Sequence, residues 1–361
     1  MAIQAHKRQI LFIVQYPEHV SPSQRFRFEL YKNLLRQNGF EITTQTFIDK
    51  KGYEIIFAKG YFFRKAFAVA RGFLRRVKLL FTISKYDFVL LHCGVAPVGP
   101  PVFEWFFIKL LKAKIIYDFD DAVWIRRVSE SNKLMRFLKA PQKVAVISKW
   151  AYKVSCGNEF LCHYARQYNT SVTYNPTCVD TERNHNILAN HDVEKISIGW
   201  TGSFSTLQYL TMAVPVLKRL QANYNVGVTI ICNQAPEIDL QNVNYVPWTE
   251  EDEVKELAKC QIGIMPLPHD EWAEGKCGFK LIQYLSLGIP AAASPVGVNK
   301  KIIDDGVNGF LCSTEEEWYA AIEKLILDAE LRKRMGIEGR KKITNEYSLH
   351  SNAGNFLSLF T

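Results

Sequence analysis

The sequence predicts an α/β protein built from two doubly wound halves, and three observations carry that prediction. Short apolar, β-branched runs alternate with helical stretches, the pattern of parallel strands buried on both faces. After a polar stretch, DTERNHNILANHDVEK (180–195), the same pattern starts again. A chain of 361 residues is long for a single domain, and its 48% hydrophobic content supplies two cores.

In the first half the predicted strands are RQILFIVQY (8–16), FEITTQTF (40–47), YDFVLLHC (86–93), AKIIYDF (113–119), KVAVIS (143–148), YKVSCG (152–157) and SVTYNP (171–176). The first is read as a strand and not a secretory signal, because Tyr16, Pro17 and Glu18 end its apolar run too early. In the second half they are ISIGWTG (196–202), VGVTIIC (226–232), VNYVPW (243–248), IGIMPL (262–267), PAAASP (290–295) and GFLC (309–312). Helices are expected in SFSTLQYLTMAVPVLKRLQANY, EEDEVKELAKC and EEEWYAAIEKLILDAELRKRMG. The expected division is a first domain over 1–175, a linker over 176–195, a second domain over 196–345, and a closing 346–361 segment that packs back on the first. Ligands of open α/β sheets sit outside the carboxyl ends of the strands, so two such sheets facing each other would bind in the cleft between them.

A formal charge of +9 favours anionic partners such as nucleotides or acidic lipid surfaces. No helix-turn-helix, HExxH, EF-hand or Ser/His/Asp order occurs, and nucleic acid, resting on charge alone, is not expected as a partner. The eight cysteines are scattered without a CxxC pair or zinc spacing, which suggests buried thiols in a reducing cytoplasm and no metal site. No run is long and apolar enough to span a membrane. Peripheral contact is another matter. In FAKGYFFRKAFAVARGFLRRVKLLFTISK (57–85), Phe62, Phe63, Phe67, Phe73, Leu74, Leu79, Leu80 and Phe81 interleave with Lys59, Arg64, Lys65, Arg71, Arg75, Arg76, Lys78 and Lys85. Such a stretch either lies in an anionic membrane interface or forms a core helix with a basic outer face.

Two stretches suit an anion. In EGKCGFKLIQYLSLGIP (274–290) a glycine turn bearing Lys276 and Lys280 runs into an apolar helix, whose first amides and dipole favour negative charge. Gln283 lies one turn after Lys280, on the same face, so cation and amide can address one ligand; the alternative is an ordinary solvated helix start. In GWTGSFST (199–206) a strand opens into a helix: Gly202 allows close backbone approach, while Ser203, Ser205 and Thr206 offer hydroxyls and amides, unless they simply cap the helix.

These stretches, with WTEEDEVKEL (248–257), CQIGIMPLPHDEW onward (260–312) and a closing EYS (346–348), resemble family 4 of the retaining glycosyltransferases in order and spacing. The first half matches more loosely through SPSQRFRFELYKNLLRQNGFEI (21–42), IIYDFDDAVW (115–124) and SCGNEFLCHYA (155–165). The resemblance implies the GT-B fold, two Rossmann-like domains facing across a cleft, and sugar transfer from a nucleoside-diphosphate donor with retention. It implies no cofactor beyond that co-substrate, and no metal. The basic aromatic stretch over 57–85 adds the expectation of a glycan or lipid-linked acceptor, as in cell-envelope polysaccharide or lipopolysaccharide synthesis, and of contact with the inner face of the membrane by a protein that the cysteines suggest is cytoplasmic.

By the same resemblance Glu274 meets the donor sugar, Lys280 with Lys276 and Gly278 the diphosphate, Gln283 the ribose, and Gly202, Ser203 and Thr206 the phosphates; His269 and Asp270 precede the turn and are placed for the sugar. Gln283 stands where the family has glutamate. On the acceptor side Asp118 or Asp121, in YDFDDAVW, would bind or deprotonate a hydroxyl, the rival reading being loop-ordering carboxylates. Arg25 and Arg27 would meet an acceptor phosphate, with pairing to Glu29 as the rival. His92, unless it is a structural strand-end histidine, and Asn158 complete the expected cleft lining. The competing functions are a nucleotide-sugar epimerase of the same fold and a binding protein without turnover.

Overall fold

The computed structural model describes residues 7–56, 58, 60–125 and 140–361, which fold as two compact units. The first runs to Pro176 and takes back Ala353–Thr361; the second is Thr177–Asn352. Phe57 and Lys59 of the basic aromatic stretch lie outside the described residues.

The first unit is a parallel sheet of β1 (Arg8–Val14), β2 (Phe40–Thr46), β3 (Phe88–His92), β4 (Ile115–Phe119), β5 (Lys153–Cys156) and β6 (Val172–Tyr174), in the order β2-β1-β3-β4-β5-β6. Ile10, Leu11, Phe12, Ile13 and Val14 are all fully enclosed, as a central strand covered on both faces requires. The closing segment belongs here: Phe356 stacks on Tyr31 at 4.1 Å between centroids, and Phe360 packs edge-on against Phe88. One predicted strand is corrected. KVAVIS lies in a helix, Lys143–Trp150, with Val144 and Ile147 buried one turn apart. β4 and β5 are parallel neighbours, and their connection must cross back over the sheet, a task for a helix; a short apolar run does not by itself distinguish the two states.

The second unit is also wholly parallel, with β7 (Ile196–Gly202), β8 (Val226–Cys232), β9 (Val243–Pro247), β10 (Ile262–Met265), β11 (Ala291–Ala293) and β12 (Gly309–Leu311) in the order β12-β11-β10-β7-β8-β9. Residues after Thr177 pack within it: Ala189 N donates to Leu287 O at 2.9 Å, His191 Nε2 bonds Gly288 O at 2.9 Å, and Val179 bridges to Ser348. Gly263 fixes how close helix and sheet can come. A Cβ there would lie 2.4 Å from the Tyr284 ring, so only glycine lets the Phe279–Ser286 helix sit down on β10.

Each sheet reverses its direction of winding once. In the first unit the switch lies between β1 and β3, in the second between β7 and β10. A crevice for ligand forms outside the strand ends at such points.

Candidate active site

In the second unit, the switch point brings the two anion-suited stretches to adjacent strand ends, GWTGSFST after β7 and the lysine turn after β10. Asp270 opens the turn by accepting from Ala273 N at 2.7 Å, and Gly278 closes it as the residue before the 279–286 helix, with φ +67°. A side chain at 278 would be doubly excluded: the backbone is left-handed, and a Cβ would lie 2.2 Å from Ile302 Cδ1. Tyr284 then ties the helix to both strands of the switch point, accepting from Thr201 N and donating to Ile264 O, each at 3.2 Å.

This placement carries Lys280 across to β7, where its ammonium lies 5.6 Å from the centre of the Trp200 ring. The same ring is why residue 202 is glycine, since a Cβ there would meet it at 2.6 Å and Thr206 Oγ1 at 2.7 Å. Lys280, Gly202 and Thr206, each partly exposed, therefore pack together around the buried Trp200 ring. Lys276 lies over Trp272 at 5.1 Å; Glu274 is half-buried beside it and His269 is exposed. The loop after Gly202 is internally bonded: Ser203 Oγ to Ser205 Oγ at 2.8 Å, Thr206 Oγ1 to Ser203 O at 2.9 Å, and Phe204 N to Asn233 Oδ1 at 2.8 Å.

Gln283 needs correcting. It is fully enclosed and presents no surface to a ribose, because the helix turns it inward, where its Nε2 donates to Glu253 Oε1 at 2.9 Å. Its Oε1 has no hydrogen-bond partner among the described residues. Glu253, itself buried, is a partner that sequence reasoning missed, although it sits in the WTEEDEVKEL run. Tyr284 and Trp200 were missed in the same way as residues that build the site.

In the first unit, the switch point holds a chain of charges. Asp118, at the end of β4, accepts from Arg27 through both carboxylate oxygens, from Ser155 Oγ at 2.6 Å and from His92 Nδ1 at 3.0 Å. Arg27 also donates to Asn175 O and to Ser155 Oγ. On its other side His92 bonds Ser23 Oγ through Nε2 at 2.8 Å, and Ser23 Oγ donates to Asp120 Oδ2 at 2.6 Å. Burial opposes charge on Asp118, but the Arg27 guanidinium and the His92 hydrogen bond outweigh it and hold the carboxyl well below its usual range. For His92 burial again opposes the charge, and Cys93 together with the Asp118 hydrogen bond and Asp120 holds the imidazole well above its ordinary value. A doubly protonated ring fits the geometry, donating to Asp118 on one side and to Ser23 on the other.

Four acceptor-side expectations are corrected by these contacts. Arg27 is fully enclosed and spent on Asp118, so it cannot clamp an acceptor phosphate. Asp118 is buried and held ionised with its oxygens engaged, a poor arrangement for taking a substrate proton. His92 is buried and acts between Asp118 and Ser23. Asn158 is buried as the cap of the Glu159–Arg166 helix, accepting from Leu161 N. Arg25 is mostly buried, its guanidinium over the Phe26 ring at 4.7 Å. Asp120 and Asp121 stay half-exposed. Ligand atoms of His92, Cys93 and Asp120 lie within 4.8 Å of one another, the one group among the described residues spaced to hold a metal ion, yet Ser23 already bonds two of its members.

Residues 195–328 match the family model described as Glycosyl transferases group 1. No curated protein matches the chain. Among solved structures, a glycosyltransferase from Rickettsia africae superposes with a TM-score of 0.69 at 15% identity, over 99% of this chain and 98% of that one. Sucrose-phosphate synthase from Thermosynechococcus elongatus gives 0.67 at 12% identity, over 98% of each. HepE from Anabaena, solved with UDP and glucose, gives 0.61 at 13% identity over 97% of this chain and 98% of that one. Both parallel sheets are thus those of the GT-B fold shared with these glycosyltransferases, and the match to the group 1 family falls on the unit that carries the lysine turn.

Proposed function

We propose that the chain moves a sugar from a nucleoside-diphosphate donor, bound in the second unit, to a glycan or lipid-linked acceptor engaged through the first, with retention at the anomeric carbon. The observation that carries this reading is the cluster of Lys280, Gly202 and Thr206, each partly exposed, around the buried Trp200 ring at the β7–β10 switch point. As the anomeric carbon loses its bond to the diphosphate, negative charge grows on the leaving oxygen. A cation fixed over an aromatic face, next to a backbone stripped of side chains at Gly202, stabilises that charge without having to reorganise. Lys276 and Glu274, in the turn before the helix, are assigned to the phosphates and the sugar.

On the acceptor side the role falls to Asp121, the alternative the sequence offered beside Asp118, which instead orients His92. The UDP and glucose in the Anabaena HepE structure support a uridine nucleotide as the first donor to try. Use in building envelope polysaccharide or lipopolysaccharide, in a cytoplasmic setting, accords with free cysteines of which all but Cys93 are buried. A thermal-shift panel of nucleoside diphosphates tests the donor half: one of them raises the melting temperature of the parent, and Lys280→Ala weakens the rise. Incubation with the sugar donor and candidate acceptors, read by the anomeric coupling of the product, tests the rest. An epimer formed from donor alone would replace transfer as the function.

A further inference from the structure

The Phe62–Leu79 helix of the first unit carries an apolar row turned away from its own core. Phe63 is 84% exposed, Phe67 65%, Leu74 61%, Val77 41% and, just past the helix, Phe81 83%, with exposed Ala70 completing the row. Their spacing alternates four and three, which places them on one face. Residues 64, 71, 78 and 85, each one position after a 63, 70, 77, 84 repeat, are Arg, Arg, Lys and Lys, all exposed, and no acid occurs between 60 and 86.

The opposite face is already used. Phe73 packs edge-on against Phe47 at 5.2 Å, Leu79 is buried, Arg75 pairs with Asp49, and Arg76 is enclosed on the carbonyls of Val95, Gln45 and Val14. Of the dense cations in this stretch, these two serve the fold, and Arg71 of the outer row only approaches Asp49, at 3.6 Å, while staying exposed. Beside Phe63 and Phe67 a cavity of about 320 Å³ opens toward Ile55, with Lys51, Arg64 and Arg71 among its lining.

We infer that this face docks on an anionic phospholipid bilayer, the aromatic row entering the acyl boundary and the cation row meeting phosphates. A single row of one sign along the whole face decides the occupant. Pairing with a second copy through the same seam would need acidic positions opposite the cations, and the segment has none. A bilayer of negative headgroups over hydrocarbon matches both rows at once. The inference is independent of which sugar is moved, because its test reads vesicle binding and not transfer.

Flotation of the full chain with phosphatidylcholine vesicles, with and without phosphatidylglycerol, provides the test. The protein is expected to float with the anionic vesicles only, less so as salt rises. Arg64→Glu/Arg71→Glu/Lys78→Glu is expected to cut partitioning on the order of a hundredfold, at about fivefold for each cation removed. Phe63→Ser/Phe67→Ser/Phe81→Ser is expected to abolish flotation with an unchanged melting temperature, since none of these side chains is in the core. Failure of the parent to float, or flotation of either variant at the parental level, would overturn the inference. So would a vesicle-free dimer that the serine variant disperses.

Discussion

At the switch point of the first unit, Arg27, Asp118, His92, Ser23 and Asp120 form a closed chain in which each charge has its partner inside the protein. At the switch point of the second, the cation stands over an aromatic ring beside a bare glycine, and its placement comes from backbone shape: Gly263 under Tyr284, Gly278 left-handed, Gly202 against Trp200. The topology is of one kind in both sheets. What differs is how the side chains are placed, by ion pairs and hydrogen bonds in the first unit and by close backbone approach at glycines in the second, so the same sort of substitution should damage folding in one unit and the proposed chemistry in the other.

Breaking the first chain has the largest expected effect. Arg27→Met leaves Asp118 as a buried charge without its main partner, and urea unfolding should show a loss of about 3–5 kcal/mol. Arg27→Met/Asp118→Leu should recover part of that loss, because the stranded charge is gone; no recovery would mean the guanidinium's packing mattered more than its charge. Lys280→Ala sharpens the contrast. Turnover should fall on the order of 10²–10³-fold, the scale for one group facing a developing anion, while the unfolding midpoint stays put. If transfer survives the change, another group stabilises the leaving diphosphate.

Gly278→Ala tests the backbone itself. The left-handed φ and the clash with Ile302 should cost about 1–3 kcal/mol, read from the melting transition of the second unit. Smallest is the effect of pH on His92. Its folded value is raised, so its contribution to stability is full below the unfolded value of about 6.5 and is lost as pH rises through the folded value. The gap in melting temperature between the parent and His92→Gln should therefore narrow on going from acid to alkaline pH. Asp118 runs the opposite way: its lowered value gives stability that is present above about 3.8 and is lost on acidification below that. A gap that widened with pH would mean His92 is neutral in the folded chain.

Local chemistry was legible in the sequence. Apolar runs marked twelve strands, because strand burial leaves a local trace; glycines at 202 and 278 marked close approach, and two lysines marked an anion. KVAVIS misled because a short apolar run suits a buried helix as well as a strand, and only the parallel pairing of β4 with β5 settles which. The site was legible in part for the same reason. Lys280 could be named from its turn, but its seat over Trp200 depends on β7 and β10, distant in sequence, lying side by side in the sheet.

Partner choice was what only the tertiary structure decided. Arg27 and Asp118 are 91 residues apart, and each alone reads as a surface charge awaiting substrate. Gln283 shares a helix with Lys280, yet the first is enclosed against Glu253 while the second reaches β7. Periodicity and turn geometry are properties of neighbouring residues, so a sequence carries them directly. Burial and ion pairing depend on which distant segment comes to lie alongside, and that is set by the order of strands in the sheet.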